Sequence, residues 1–202
     1  MKLDILAFGA HPDDVELGCS GTIINHLKNG LKIGIIDLSR GELGTRGTME
    51  TRNQETTQST KVLGVQLREN MDFKDGLFEN NEENKIKLIK KIRKYKPEIV
   101  LTNAPNDRHP DHGRSSDLTI DACFLSGLEK IETGQDVWRP KHIYHYIQFN
   151  TILPDFVVDI TEEMDKKLES VLCYKTQFYN PDSKESETII SSEDFLESIK
   201  YR

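Results

Sequence analysis

Short apolar runs separated by stretches of helical spacing recur along this chain with a regularity that leaves few folds open. LDILAFGA (3–10), KIGIIDLS (32–39), VQLREN (65–70), EIVLTNA (98–104) and HIYHYIQF (142–149) have the length and alternation of strands. Residues 15–29, 49–63, 82–95 and 114–130 carry the spacing of helices. Strand and helix in alternation is the rhythm of βαβ units. The expected fold is therefore α/β, a Rossmann-like and mostly parallel sheet with helices on both faces. In such sheets ligands bind beyond the carboxyl ends of the strands, where loops carry the chemistry.

That rule directs attention to two loops. AHPDDVELGCSG (10–21) follows the first strand, and NDRHPDHG (106–113) follows EIVLTNA. Both contain His-Pro-Asp. With 6 histidines and 7 prolines in 202 residues, chance would place one such tripeptide in about one chain in fifty. A single copy reads as a turn whose aspartate, Asp13 or Asp14, caps the next helix. Two copies at strand ends point instead to one metal site at the C-terminal ends of the strands. His11 and Asp14, three apart across a turn, can converge on one ion, and His112 completes a set of three if the two strands are neighbours. Pro12 and Pro110 restrict the backbone and hold the ligands without help from a helix. Asp13, His109 and Asp111 are left beside the ion, and a hydrolytic mechanism can use all three. His26, His142 and His145 belong to no such cluster.

Other chemistries fit less well. Gly9, Gly18 and Gly21 lack the spacing of a dinucleotide loop. A formal net charge of -7 and a pI near 5.4 argue against nucleic acid. The basic stretch KIKLIKKIRKYK (85–96) reads as an amphipathic helix with Ile86, Ile89 and Ile92 facing a core. No apolar run is long enough for a membrane span, and the N-terminus does not read as a signal peptide, so a cytoplasmic location is expected. Cys19, Cys123 and Cys173 are too scattered for a disulfide or thiolate framework and are expected to be reduced. Residues 1–178 are expected to form one catalytic domain, and 179–202 a segment packed on it. SSEDFLESIKYR begins a helix at a Ser191 or Ser192 cap; either that helix is terminal or the chain continues beyond Arg202.

The paired motifs resemble the LmbE-like, or PIG-L, family of zinc-dependent N-acetylglucosaminide deacetylases. SRGELGTRGTMETR (39–52), DRHPDHG and YKTQF (174–178) look most like the branch that deacetylates N-acetylglucosaminyl-malate in bacillithiol biosynthesis. The resemblance implies Zn2+, or another divalent transition metal, on His11, Asp14 and His112. It implies Asp13 as general base, and His109, oriented by Asp111, as stabiliser of the oxyanion. It also implies a homo-oligomer, a hexamer or smaller, and places Arg52 near the substrate. Some relatives carry a tyrosine where Phe195 aligns here, and no hydroxyl is available at that position.

The implied reaction removes the N-acetyl group from a GlcNAc conjugate, most directly N-acetylglucosaminyl-malate. Other GlcNAc substrates such as chito-oligosaccharides are the alternative, and a metal-dependent phosphoesterase or a non-catalytic binding module are further ones. Phosphoesterases commonly want two ions and more carboxylates than these loops offer. A pure binding module has no use for Asp13, His109 and Asp111. Malate needs cations, and Arg46, Arg52 and Arg108 are the candidates. The loop SRGELGTRGT carries Gly41, Gly44 and Gly47, giving the mobility of a lid, and the Arg52, Glu55 and Ser59 face of the next helix is expected to line a sugar pocket.

Overall fold

The computed structural model describes residues 1–201. Five strands, β1 (Ile5–Gly9), β2 (Ile33–Ser39), β3 (Leu67–Phe73), β4 (Ile99–Asn103) and β5 (His142–Tyr146), form one parallel sheet in the order β3-β2-β1-β4-β5. Six α-helices accompany them: α1 (Asp14–Lys28), α2 (Met49–Leu63), α3 (Glu82–Tyr95), α4 (Pro110–Leu125), α5 (Met164–Leu172) and α6 (Glu193–Ser198). The fold class expected from the strand and helix rhythm is the one observed.

Alternation along β1 divides the core. Leu6 and Phe8 face α3 and α4, joining Leu88, Ile89, Ile92, Leu118 and Ala122. Ile5 and Ala7 face the opposite layer, where Val15, Cys19, Ile23 and Ile24 of α1 meet Leu63 of α2. Each face of the sheet thus buries an apolar helix stripe, the condition for a parallel sheet to be stable. Both Cys19 and Cys123 lie in these layers as free thiols, and Cys173 is half-buried.

α1 approaches the sheet edge closely at Gly18. A Cβ there would fall 2.1 Å from the Tyr146 ring, whose hydroxyl donates to the Phe8 carbonyl at 2.8 Å. The same layer buries a charged group of a kind the sequence did not announce. Arg68 of β3 donates to Glu16 at 2.5 Å and to Asp37 at 2.8 Å, while Ser59 and Tyr174 also donate to Glu16, at 2.5 and 3.0 Å. Of the buried residues of α2, Arg52, Glu55, Ser59 and Leu63, this network engages Ser59.

Some boundaries differ from expectation. α4 begins at Pro110 rather than 114, because Pro at the first helical position and His109 as N-cap start a helix that Gly113 does not stop. β3 starts two residues and ends three residues later than VQLREN, and α5, with only nine residues, has no counterpart among the expected helices. β1 lies between β2 and β4, whose connecting helices cover opposite faces. The loops after β1 and β4 therefore diverge at one point of the rim, the position where such sheets bind ligands.

Candidate metal centre

The turn after β1 is held to the end of β4 by its backbone: the Ala10 amide donates to the Asn103 side chain at 3.0 Å. This bond brings the two His-Pro-Asp segments together. The imidazole centroids of His11, His109 and His112 lie 4.6, 5.6 and 5.4 Å apart in pairs. Ring nitrogens of all three lie within 4.8 Å of one another, and a second buried group, His11 with Asp75 and Asp111, meets the same distance. The cluster can hold a divalent ion.

Asp14, the carboxylate of the expected set, lies beside two of the three histidines. Its carboxylate is 3.2 Å from His112 Nε2 and 3.6 Å from His11 Nδ1. It also accepts from the His11 amide at 3.0 Å, from Asn103 at 3.1 Å and from Gln148 at 2.7 Å. Burial opposes its charge, but the two histidines overcome this and hold its carboxyl well below the usual range. His112 Nδ1 pairs with Asp107 at 2.8 Å, which leaves Nε2 turned toward Asp14. Burial works against the imidazolium of His112, yet Asp14 and Asp107 push its pKa up to about 9. A carboxylate behind the ring of a ligating histidine is the usual arrangement in protein metal sites. Two imidazoles and one carboxylate, all buried and each fixed by a further side chain or amide, suit a borderline divalent cation.

The residues beside this set have distinct surroundings. Asp13 has φ +110°, a conformation rare outside glycine and held here at the N-terminus of α1. It caps no amide; its carboxylate accepts from Arg52 Nη2 at 2.9 Å, and the same nitrogen donates to the Pro12 carbonyl at 3.1 Å. Burial pushes the Asp13 carboxyl up to about 7, Arg52 opposing and Asp14 adding to the rise. Arg52 reaches it past Gly41, whose φ is +67° and where a Cβ would lie 2.9 Å from Nη1.

His109 and Asp111 are near each other, but not in the expected manner. The Asp111 backbone amide donates to His109 Nδ1 at 3.2 Å, while the Asp111 carboxylate takes the Gly76 amide at 2.8 Å and Arg114 at 2.5 Å and lies 3.3 Å from His11 Nε2. An Nδ1 that accepts an N–H carries no proton, so His109 offers a neutral Nε2–H. Burial and the neighbouring histidines accordingly lower its pKa. Two further corrections concern position. Asp14 and His112 belong to the first turns of α1 and α4, so helices do hold these ligands. Arg46 faces away, onto Ser183 at 2.5 Å, and does not line the cavity.

The cavity over the cluster has a volume of about 460 Å3 and is walled by residues that include Arg52, Arg108, Gly41 and Gly44, with Phe149, Ile189, Ile190 and Phe195 forming an apolar side. Phe195 thus reaches the site. Arg108 lies at its rim with the guanidinium 4.7 Å from the Phe149 ring centroid. Of the polar face expected of α2, only Arg52 reaches this cavity; Glu55 accepts from Thr176 and Ser59 donates to Glu16. Four contributors escaped notice in the sequence: Asp75, 3.0 Å from His11 Nε2, and Asn103, Asp107 and Gln148. Asp107, five residues before His112, could have been suspected as its partner. Nothing in the spacing marks Asp75, which a separate strand end brings in.

Comparison with known proteins gives this arrangement a lineage. The model of the PIG-L family, described as GlcNAc-PI de-N-acetylase, matches residues 6–123. The chain belongs to the PIG-L family. Among its relatives is the diacetylchitobiose deacetylase of Thermococcus kodakarensis, 29% identical over 186 residues that cover 86% of this chain and 70% of that protein. The probable N-acetyl-alpha-D-glucosaminyl L-malate deacetylase 2 of Bacillus anthracis is 23% identical, covering 86% and 81%. Among solved structures, the conserved protein TT1542 of Thermus thermophilus superposes with a TM-score of 0.89 at 34% identity, covering 98% of this chain and 86% of that one. The PIG-L membership and the His/Asp cluster together make this protein a metal-dependent deacetylase. Among the described residues no helix is long and apolar enough to cross a membrane.

Proposed function

We propose that this protein removes the acetyl group from a GlcNAc conjugate, with N-acetylglucosaminyl-malate as its substrate, Zn2+ on His11, Asp14 and His112, and residues 1–178 as the catalytic domain. The observation that carries the reading is the buried Asp14 carboxylate lying 3.6 Å from His11 and 3.2 Å from His112, beside a separate buried carboxylate, Asp13, that burial pushes up to about 7. A metal-binding module needs only the first.

When bound, the ion supplies Lewis acidity for the acetamide carbonyl and for the attacking water. The chain supplies the rest. Asp13, adjacent to Asp14 and fixed by Arg52, takes a proton from the water and returns it to the departing amine, a role for which a pKa near 7 is suited. His109 donates its Nε2–H to the carbonyl oxygen as negative charge develops there, as a neutral donor rather than an imidazolium. Arg52 is committed to Asp13, so recognition of an anionic aglycone falls to Arg108, whose fork is pre-oriented by stacking on Phe149. The apolar side of the cavity favours a second reading, a sugar aglycone as in diacetylchitobiose, the substrate in the name of the T. kodakarensis relative.

The test is incubation of the zinc-loaded protein with N-acetylglucosaminyl-malate and with diacetylchitobiose, measuring free amine and acetate. Release from the first and its loss in Arg108→Ala support the malate reading. Release from diacetylchitobiose alone replaces it with the second, and no release from either refutes the deacetylase assignment.

A further inference from the structure

Arg46 is nine-tenths buried, yet its guanidinium serves neither the metal cluster nor its cavity. It is turned onto the C-terminal segment. Nη2 donates to Ser183 Oγ at 2.5 Å, and Nε lies 3.7 Å from Glu185 Oε2. The surrounding backbone repeats the attachment. The Arg46 carbonyl accepts from the Gln177 side chain at 2.8 Å, and the Gly47 amide donates to Glu185 Oε1 at 2.7 Å. Gly47, at φ +73°, comes so near Thr176 that a Cβ would lie 2.7 Å from its Oγ1, and Thr176 in turn donates twice to Glu55 of α2.

These bonds join two segments that both line the cavity. Gly41, Leu43, Gly44 and Thr45 come from the first, and Thr188, Ile189, Ile190 and Phe195 from the second. Between residues 178 and 193 the second segment contains only one 3-10 turn, Ile189–Ser191, so its backbone has little regular structure of its own to hold it. Ile190 and Phe195 pack against Val171, Tyr174 and Phe178, so the part whose placement depends on the tethers is the stretch 179–189. A cavity of about 460 Å3 is at the small end of ligand sites, room for one sugar and a short aglycone.

We infer that Arg46 is a positioning residue that pins the 179–189 stretch, so that Thr188 and Ile189 close the aglycone pocket, and thereby restricts the enzyme to short aglycones. Loosening the pin moves Thr188 and Ile189 outward and admits longer chains. The kinetic part of this inference rests on the deacetylase reading; the structural part does not.

The experiment compares wild type, Arg46→Ala, Arg46→Lys and Glu185→Gln, each zinc-loaded. Acetate release is measured from N-acetylglucosaminyl-malate, diacetylchitobiose and tetra-N-acetylchitotetraose, and amide hydrogen exchange is followed across 183–191. Glu185 is 43% exposed, so its variant removes half of the pin without threatening the fold. The expected result is that Arg46→Ala raises the kcat/KM ratio of the tetrasaccharide over the better short substrate at least tenfold. Glu185→Gln raises it by less, Arg46→Lys restores most of the wild-type ratio, and exchange at 183–191 quickens in the order of these changes. Unchanged exchange in Arg46→Ala and Glu185→Gln overturns the pin. Faster exchange with an unchanged ratio overturns the role of the segment as the aglycone wall. Absence of turnover by wild type on all three substrates refutes the deacetylase reading, and the exchange data then decide the pin alone.

Discussion

Replacing Asp107 tests the electrostatic logic of the metal centre more sharply than replacing a ligand. Asp107 Oδ2 faces His112 Nδ1 at 2.8 Å, and Oδ1 accepts from the Arg108 amide at 2.7 Å and the Asn150 amide at 3.0 Å. The carboxylate holds one proton of His112 on Nδ1, so the proton that binding an ion displaces is the one on Nε2, the atom facing the cluster. Asp107→Ala removes this bias, and loss of such a partner lowers metal affinity about 10- to 100-fold, or about 1.4 to 2.7 kcal/mol. Asp107→Asn looks gentler and should be worse. Two backbone amides at Oδ1 fix the oxygen of the new side chain in place, so its NH2 must face Nδ1. An N–H pointing at Nδ1 drives the ring proton to Nε2, on the atom that has to bind the ion. Zinc affinity, measured by competition with a chromophoric chelator at fixed pH, should therefore fall in the order wild type, Ala, Asn. If Asp107→Asn binds zinc as tightly as Asp107→Ala or more tightly, the tautomer argument is wrong.

Asp13→Asn keeps an acceptor for Arg52 and a side chain tolerant of positive φ. Its Tm should stay within about 4 °C of wild type while deacetylation drops about 10²- to 10⁴-fold; Asp13→Ala should be the less stable of the two. Gly18→Ala drives a methyl into the Tyr146 ring and should destabilise the fold by about 1 to 3 kcal/mol in urea denaturation, with Tyr146→Ala recovering part of the loss. Lys167 is buried with its ammonium donating to the Leu17 carbonyl, and burial lowers its pKa to about 8. Since the unfolded chain keeps that lysine protonated up to a pKa of about 10.4, it binds more protons than the folded state between these values. The penalty for a buried charge is thus full below pH 8 and fades above it. Stability of wild type relative to Lys167→Met should rise by up to about 3 kcal/mol between about pH 8 and 10.5, and a flat difference across that range would contradict the burial argument.

The sheet was legible because β-strand and helix periodicities depend on local pattern: α2 and α3 fall on the residues expected from spacing, and β2 and β4 shift by a single residue at their ends. The meeting of His11, Asp14 and His112 was legible because two identical tripeptides at strand ends require only that β1 and β4 be neighbours. What the sequence concealed is whatever depends on where a side chain is spent. Arg46 and Arg52 look alike on a loop and a helix start, but one is bound to Ser183 and the other to Asp13. The same applies to Asp111, whose carboxylate was expected at His109 and is taken by Gly76 and Arg114. Asp75 arrives from the end of β3, and no local signal distinguishes it from any exposed loop aspartate.

The ties on Asp14 and His112 come from Asn103, Gln148 and Asp107, all of them groups that the fold itself puts in place. On the proposed ligand set, metal uptake is expected to be exchange at a socket that the fold has already formed. Two imidazoles and a carboxylate follow the ordinary affinity series, in which Cu2+ exceeds Zn2+. The ion bound is then expected to follow the metal supplied during loading, which metal analysis after loading with Zn2+ and Cu2+ in competition checks.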